Sequence, residues 1–203
     1  MKLNSNHLCI LPSNMPFTRP LILASSSPRR QYLMKEAGFV FTVEKPDVDE
    51  SFPDSMPVEQ VARYLAEKKA EVFRLRMQNE VIVTADTVVI LGNRILNKPS
   101  DRPEAISMLM DLSGKTHLVM TGVCILSKEK EIAFDDTTEV TFKKLTPEEI
   151  AYYVDTYKPY DKAGAYGAQD FIGMIAIEKI TGSYFNVMGL PIHKVYQHLQ
   201  NWS

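Results

Sequence analysis

The chain has 203 residues, of which 45% are hydrophobic and 24% charged, a composition typical of a globular protein with one sizeable core. Its formal net charge of −2 gives no general attraction to nucleic acid or to an anionic membrane, although a local basic pocket stays open. The two cysteines form no metal-binding or redox motif, and no apolar run reaches the roughly 18 residues of a membrane span. We therefore expect a cytoplasmic protein whose partners include neither nucleic acid nor a membrane.

The first twenty residues differ from the rest of the chain, because they contain three prolines and lack the long apolar segment of a signal peptide. We expect residues 1–20 to form a loose N-terminal extension. Residues 21–203 are expected to form a single domain.

The segment after this extension predicts a strand, a loop and a helix in quick succession. Residues 21–24 are apolar and favour a short buried strand, and Ser25–Ser27 favour a polar loop. Ser27 suits the N-cap of a helix, Pro28 its first position and Gly38 its C-terminal exit.

Arg29 and Arg30 are unusual in this place, because the helix dipole disfavours cations in the first turn by roughly 0.3–1 kcal/mol each. Free backbone N–H groups, two guanidinium groups and the serine hydroxyls together indicate an anion site, and a phosphate chain is the natural ligand. On local grounds alone, an ordinary helix start with solvated arginines explains these residues equally well.

A long helix is expected from about Pro57 to Met77, after a strand over residues 39–43 and an acidic loop over 44–53. Lys69 falls within the apolar stripe of this helix. A lysine on the inner face either extends its ammonium to the edge of the core, which is the commoner outcome, or meets an anion in a cleft. The stripe consists of Val58, Val61, Ala62, Leu65, Val72, Phe73 and Leu75.

The run Val81–Ile90 is the most strand-like part of the chain, because nearly every position is β-branched or apolar. Asp86 and Thr87 interrupt it. A carboxylate in a buried strand is costly unless it is paired, hydrogen-bonded or bound to a metal, so Asp86 is a candidate functional residue.

The remaining segments alternate between helix and strand signals, which predicts a mixed α/β sheet. Residues 160–170 form a glycine-containing loop that either approaches a ligand closely or simply turns the chain. The other expected elements are strands over 94–96, 117–126, 132–142 (as one strand or two) and 171–180, and helices that begin at Asp101, Thr146 and Pro191.

Candidate side chains gather in separate loops where cations outnumber carboxylates, and this balance suits a polyphosphate. Asp86 and Glu50 offer the hard oxygen ligands that a divalent metal prefers, and Asp86 could alternatively accept a proton from water. None of the four histidines falls in a recognisable catalytic triad. The cations are Arg29, Arg30, Lys69, Lys98 and Lys162.

Six motifs follow one another along the chain: Ser25-Ser-Ser-Pro-Arg-Arg30, Ala85-Asp-Thr-Val-Val89, Asn97-Lys-Pro99, Leu112-Ser-Gly-Lys-Thr-His117, Asp161-Lys-Ala-Gly-Ala-Tyr-Gly167 and Gly182-Ser-Tyr-Phe-Asn-Val-Met-Gly-Leu-Pro191. Together they resemble the Maf family, nucleoside triphosphate pyrophosphatases once described as septum-formation inhibitors. The resemblance implies an elongated α/β fold in two lobes around a cleft, similar to the inosine-triphosphate pyrophosphatase fold. It also implies hydrolysis of a nucleoside triphosphate to the monophosphate and pyrophosphate. A divalent cation would assist, Mg²⁺ by default and Mn²⁺ or Co²⁺ as replacements.

The resemblance assigns roles to individual residues. Asp86 matches the catalytic proton acceptor and Glu50 an acidic position near the metal. Because both also offer hard oxygen ligands, Glu50 and Asp86 are the expected metal ligands. Lys69 and Lys98 match phosphate-handling positions and join Asp86 in the expected catalytic group. The expected phosphate-binding residues are Ser25 and Arg30 from the resemblance, with Ser27 and Lys162 added for their places in the same loops.

Three further residues occupy the family's positions for base selection: Arg29, Thr87 and Gln169. A related branch that acts on 7-methyl-GTP typically carries Trp, Gln and Glu there, so the resemblance favours the dTTP/UTP branch. The amide of Gln169 offers both a donor and an acceptor, which match the O4 and N3–H edge of thymine or uracil. CTP and modified pyrimidine nucleotides stay open as substrates.

A different class of function is a nucleotide-binding regulator of cell division with little turnover. Asp86 argues against it, because a pure binder gains nothing from a carboxylate that repels a polyphosphate unless a metal intervenes. The sequence leaves a homodimer open.

Overall fold

A computed structural model describes residues 17–202, so residues 1–16 of the predicted extension lie outside the described part. The described part contains no helix of the length and apolarity that crossing a membrane requires. The helices are α1 Pro28–Glu36, α2 Val58–Arg74, α3 Arg102–Leu112, α4 Pro147–Tyr157, α5 Phe171–Ala176, α6 Tyr184–Val187 and α7 Ile192–Gln200. The strands are β1 Leu21–Leu23, β2 Thr42–Val43, β3 Val81–Leu91, β4 Arg94–Leu96, β5 Thr116–Leu126, β6 Glu131–Phe142 and β7 Ile177–Thr181.

The strands form one mixed sheet in the order β2-β1-β3-β5-β6-β7, and β4 pairs with the end of β3. β1 runs parallel to β2 and β3, whereas the later pairs are antiparallel. Residues of β3 and β5 pack against α2 on one face of the sheet and against α1 and α7 on the other. The predicted mixed α/β sheet with flanking helices is confirmed, although the strand predicted over 39–43 is reduced to β2 and residues 132–142 belong to the single strand β6.

A gap in the pairing of β3 creates the place where a site can form. One edge of β3 pairs with β1 as far as Val83 and with β4 from Val89 onward, while β5 covers the opposite edge along its length. Residues 84–88 therefore have no strand partner on the first edge. Asp86 and Thr87 lie in this gap, and their side chains project from opposite faces of the sheet.

The prediction of a strand over residues 171–180 is wrong in its first half, where α5 precedes β7. Ile172 and Ala176 are fully buried four residues apart, which is the spacing of one helix face. A Cβ on Gly173 would lie 2.2 Å from the carbonyl oxygen of Ala168, so the glycine lets this helix contact the preceding loop. The continuous apolar run hid the helical spacing.

The buried face of α2 also differs from the predicted stripe at its C-terminal end. Val72 is exposed, and Leu75 lies beyond the last residue of the helix and is fully exposed. Ala66 and Ala70 are buried instead, while Phe73 is buried as predicted. Alanines allow the helix axis to approach the sheet closely, and this close approach selects the contact face.

The close approach of α2 is centred on Gly122 of β5, which pairs with Asp86 across the ladder. A Cβ on Gly122 would lie 2.3 Å from the backbone nitrogen of Arg63 and 2.4 Å from the carbonyl oxygen of Ala62. The missing side chain thus lets the helix backbone touch the sheet beside Asp86. The same helix carries Lys69 about two turns further on.

His117 is buried in an aromatic cluster near the start of β5. Its Nε2 atom lies 2.8 Å from the hydroxyl oxygen of Tyr166, and its ring makes edge contacts with Phe142 and Tyr166. Burial lowers the pKa of His117 from its ordinary value of 6.5 to about 4. The imidazole is therefore neutral at neutral pH.

This burial predicts an acid-dependent loss of stability. Below pH 6.5 the unfolded chain protonates His117, whereas the folded chain does so only near pH 4, so folding weakens as the pH falls through this interval. We expect His117 to lower the free energy of unfolding by about 3 kcal/mol across it. Urea unfolding over this pH range should give a shallower pH dependence for His117→Gln than for the wild type. Equal slopes would contradict a neutral, buried histidine.

Candidate active site

A cavity of about 260 Å³ opens at the gap in β3, between the N-terminus of α1, the end of α6 and the loops around residues 45–50, 98 and 161–169. Six cationic side chains and three carboxylates line it, although the whole chain carries a formal charge of −2. A local excess of cations in a chain of negative net charge indicates a site for a polyanion. The cations are Arg29, Arg30, Lys45, Lys69, Lys98 and Lys162, and the carboxylates are Glu50, Asp86 and Asp161.

The ammonium group of Lys69 lies between two of these carboxylates. Its Nζ atom is 2.5 Å from Oδ1 of Asp86 and 2.8 Å from Oε1 of Glu50, and only 7% of the side chain is exposed. The prediction that Lys69 faces inward is confirmed, and its anionic partners are carboxylates of the protein itself. Lys69 therefore neutralises and orients both carboxylates at once.

Glu50 is held by more than one cation. The Nζ atom of Lys98 lies 4.0 Å from Oε2 of Glu50. Burial works to raise the pKa of Glu50, but the hydrogen bond and charge of Lys69, with the charges of Lys98 and Arg30, outweigh it and hold the pKa below its ordinary value. Glu50 is therefore an ionised carboxylate at neutral pH.

Arg30 fills the pairing gap of β3 with its guanidinium group. Its Nη1 atom donates to the carbonyl oxygen of Ala85 at 2.8 Å and to Oγ of Ser25 at 3.3 Å. Nη2 donates to Oγ1 of Thr87 at 3.0 Å, and Nε donates to the carbonyl oxygen of Gly189 at 2.7 Å. Burial lowers the pKa of Arg30 from its ordinary value. The side chain thus bonds one carbonyl group of the open strand edge and joins this edge to the loop after α6.

The N-terminus of α1 faces the cavity. Ser27 is its N-cap, as predicted, and its hydroxyl accepts a hydrogen bond from the backbone nitrogen of Arg30 at 3.5 Å. Ser25 Oγ accepts from the backbone nitrogen of Ser27 at 3.2 Å. The first turn contains no acidic residue, so the positive end of the helix dipole points toward the cavity without a protein carboxylate on the same turn.

Arg29 is bound to the opposite wall of the cavity. Its Nη1 atom lies 3.1 Å from Oδ2 of Asp161, whose Oδ1 atom accepts from Nζ of Lys162 at 2.7 Å. Lys162 also lies 3.6 Å from Oδ2 of Asp170. This ion pair joins the start of α1 to the glycine-containing loop.

Gln169 presents an unpaired polar atom beside an apolar wall. Its Oε1 atom is buried and has no hydrogen-bond partner among residues 17–202. The wall consists of Val89, Val119, Tyr166 and Val187, which also belong to one hydrophobic cluster or pack against it. A flat, partly apolar ligand group with a hydrogen-bonding edge fits this part of the cavity.

The cavity brings together all eleven residues that the sequence singled out for catalysis, phosphate binding, metal binding and base selection. Sequence reasoning missed Lys45, which lines the cavity from the loop before Glu50 and has no ion pair within the described part of the chain. It also missed Gly189, whose carbonyl oxygen accepts from Arg30. Lys45 gave no signal, because a charged residue in an acidic loop is ordinary at the surface.

The oxygen ligands for a metal are few but suitable. Within residues 17–202 no group of three His, Cys, Asp or Glu side chains is arranged to hold a metal alone. Glu50 and Asp86 nevertheless contact the same ammonium group, so their carboxylates lie close together. Mg²⁺ is commonly held by one or two carboxylates together with substrate phosphates, so this pair fits a metal that is bound with a polyphosphate.

Fold and site define a class of protein: a mixed α/β protein whose cleft is lined by an excess of cations and by two neighbouring carboxylates, as a site for a polyphosphate requires. The family described as Maf-like protein matches residues 20–202. The chain belongs to the Maf family.

Its curated relatives are similar along almost their whole length. A dTTP/UTP pyrophosphatase of Bacteroides fragilis (strain YCH46) is 48% identical over 182 residues, which are 89% of this chain and 94% of the relative. A dTTP/UTP pyrophosphatase of Parabacteroides distasonis is 47% identical over 184 residues, 90% of this chain and 95% of the relative. Among solved structures, a HAM1 protein from Coxiella burnetii is similar with a TM-score of 0.49 and 11% identity, over 91% of this chain and 100% of that one.

Proposed function

We propose that this protein hydrolyses dTTP and UTP to the nucleoside monophosphate and pyrophosphate. The observation that carries the proposal is the ion pair between Asp86 and the buried Lys69, in a cavity with a twofold excess of cations over carboxylates. The names of the relatives, dTTP/UTP pyrophosphatase at 47–48% identity, support the same reaction. The family match over residues 20–202 supports the proposal that residues 21–203 are a single domain, which would act in the cytoplasm on a nucleotide.

The triphosphate lies among the cations, with the N-terminus of α1 as an additional positive charge. Water attacks the α-phosphorus, the bond from that phosphorus to the oxygen bridging the α and β phosphates breaks, and pyrophosphate leaves with the bridging oxygen. Asp86 accepts the proton that the water gives up, and Lys69 keeps its carboxylate oriented. Lys98 and Lys162 balance the charge of the phosphates.

Glu50 and Asp86 would hold a divalent cation, Mg²⁺ by default, which would supply positive charge to neutralise the phosphates and would favour deprotonation of water. A Mg²⁺ ion held by two carboxylates commonly takes substrate phosphate oxygens as further ligands. We expect EDTA to abolish turnover for this reason.

The base lies against the apolar wall, and Gln169 reads its edge. The unpaired Oε1 atom accepts from N3–H and the amide nitrogen donates to O4, an arrangement that thymine and uracil offer and that cytosine reverses. Thr87 contributes to base selection only indirectly. Its hydroxyl accepts a hydrogen bond from Arg30 at 3.0 Å and lies 2.9 Å from the hydroxyl of Thr121.

The test is a panel of nucleoside triphosphates with Mg²⁺, with Mn²⁺ and with EDTA. We expect dTTP and UTP to be turned over fastest, CTP more slowly and purine triphosphates least. A purine preference would contradict the placement of the base, and full activity in EDTA would contradict the metal assignment.

Gln169→Glu should lower kcat/KM for dTTP by about tenfold more than for GTP, because a carboxylate cannot donate to O4. Gln197→Glu, an exposed change of the same kind on α7, should leave both values near those of the wild type. Equal losses on dTTP and GTP would show that Gln169 does not read the base.

A further inference from the structure

Asp161 is a carboxylate of the cavity that neither the proton transfer nor the metal uses. It accepts from Nη1 of Arg29 at 3.1 Å through Oδ2 and from Nζ of Lys162 at 2.7 Å through Oδ1. Arg29 comes from the first turn of α1, and Asp161 follows it by 132 residues in the sequence. The pair therefore connects two walls of the cavity that are far apart in the chain.

This carboxylate works against phosphate binding. Burial acts to raise the pKa of Asp161, but the hydrogen bonds and charges of Lys162 and Arg29 outweigh it and hold the pKa below its ordinary value. An ionised Asp161 partly neutralises both cations, which weakens their attraction for a triphosphate. Phosphate binding therefore does not explain Asp161, whereas a fixed direction for the guanidinium group of Arg29 does.

Arg29 has donors left over after this contact. Within residues 17–202, its Nε and Nη2 atoms have no hydrogen-bond partner, and 26% of its side chain is exposed. The buried Oε1 atom of Gln169, on the loop that also carries Asp161, likewise has no partner. Unpaired donors and an unpaired amide in one cavity fit a ligand edge that carries both carbonyl oxygens and an N–H group.

We propose that Asp161 is a positioning residue for base selection, which holds Arg29 so that its free N–H edge meets O4 of thymine or uracil. The inference rests on the proposed function and deepens it. A carbonyl oxygen has two lone pairs, so O4 can accept from Arg29 and Gln169 together. Cytosine has an amino group at this position, and a guanidinium group fixed there faces a donor and disfavours it.

The test compares kcat/KM for dTTP and dCTP in the wild type and in Asp161→Asn. We expect the ratio of dTTP to dCTP to fall about fivefold, because one fixed ion pair is lost. Asp161→Ser, which removes the acceptor with a smaller side chain, should give the same loss. Asp155→Asn breaks an exposed ion pair with Arg102 outside the cavity and is the matched control, with an unchanged ratio.

The Arg29→Ala background separates positioning from a merely structural role. If Asp161 acts through Arg29, Asp161→Asn should change the ratio no further in that background. The inference would be overturned if neither Asp161 variant changed the ratio, or if Asp161→Asn lowered the ratio just as much in the Arg29→Ala background. In either case an active wild type would leave the proposed function intact. A wild type that turns over none of the triphosphates would overturn both.

Discussion

Replacement of Asp86 by asparagine is expected to lower kcat for dTTP by about 100-fold or more, while nucleotide binding is retained. The amide has the shape of the carboxylate but cannot accept a proton from water and is a weaker ligand for a divalent cation. Glu50 remains as an anionic partner for the buried ammonium of Lys69, so the fold should persist. Steady-state kinetics, with the affinity for a non-hydrolysable dTTP analogue measured in parallel, would show the effect.

Asp136→Asn is a closely matched control. Asp136 lies in β6, its side chain is 14% exposed, and it is 2.7 Å from Nζ of Lys194; Asp86 is 13% exposed and 2.5 Å from Nζ of Lys69. Because Asp136 does not line the cavity, its replacement should change kcat by less than about twofold. Turnover near the wild-type rate in Asp86→Asn, with nucleotide still bound, would contradict the catalytic role of Asp86.

Gly122→Ala should lower the free energy of unfolding by about 3 kcal/mol, which corresponds to roughly 10 °C in Tm. The cost is high because the new methyl group would overlap with backbone atoms, which cannot move aside as a flexible side chain can. The new Cβ would meet backbone atoms of Ala62 and Arg63 at 2.3–2.4 Å, so α2 must move away from β5. Since α2 also carries Lys69, we expect a loss of kcat in the molecules that remain folded.

Gly92→Ala separates steric overlap from backbone strain. Gly92 has a φ of +60° in the turn between β3 and β4, and a Cβ there would meet nothing within 4 Å. Only the left-handed backbone opposes an alanine at this position, at about 1 kcal/mol. Thermal unfolding should therefore give a clearly lower Tm for Gly122→Ala than for Gly92→Ala. A lower Tm for Gly92→Ala than for Gly122→Ala would show that the packing of α2 does not require the absence of a side chain at Gly122.

Some cavity residues could be predicted because they belong to a local pattern with a physical reason behind it, whereas the roles of Thr87 and Gln169 were predicted from the resemblance to the Maf family. Arg29 and Arg30 stand where a helix dipole disfavours cations, Asp86 interrupts a buried strand, and Lys69 falls on an apolar face. Each residue is unfavourable in its local setting unless a partner is present, and the structure brings these residues to one cavity.

What could not be predicted are the partners themselves, because they are distant in the sequence. The guanidinium group of Arg30 donates to the carbonyl oxygen of Gly189, which is 159 residues away, and to that of Ala85 on the open edge of β3, instead of remaining free. The pairing of Arg29 with Asp161 spans 132 residues. Such contacts depend on the packing of the sheet and its loops, which local periodicity does not encode.

The measurement that tests the central claim most directly is the identification of the products of dTTP turnover by ion-exchange chromatography. The proposed function predicts dTMP and pyrophosphate in equal amounts, with neither formed in EDTA. Formation of dTDP and orthophosphate would contradict cleavage between the α and β phosphates. Bound but unconverted dTTP would favour a nucleotide-binding regulator over an enzyme.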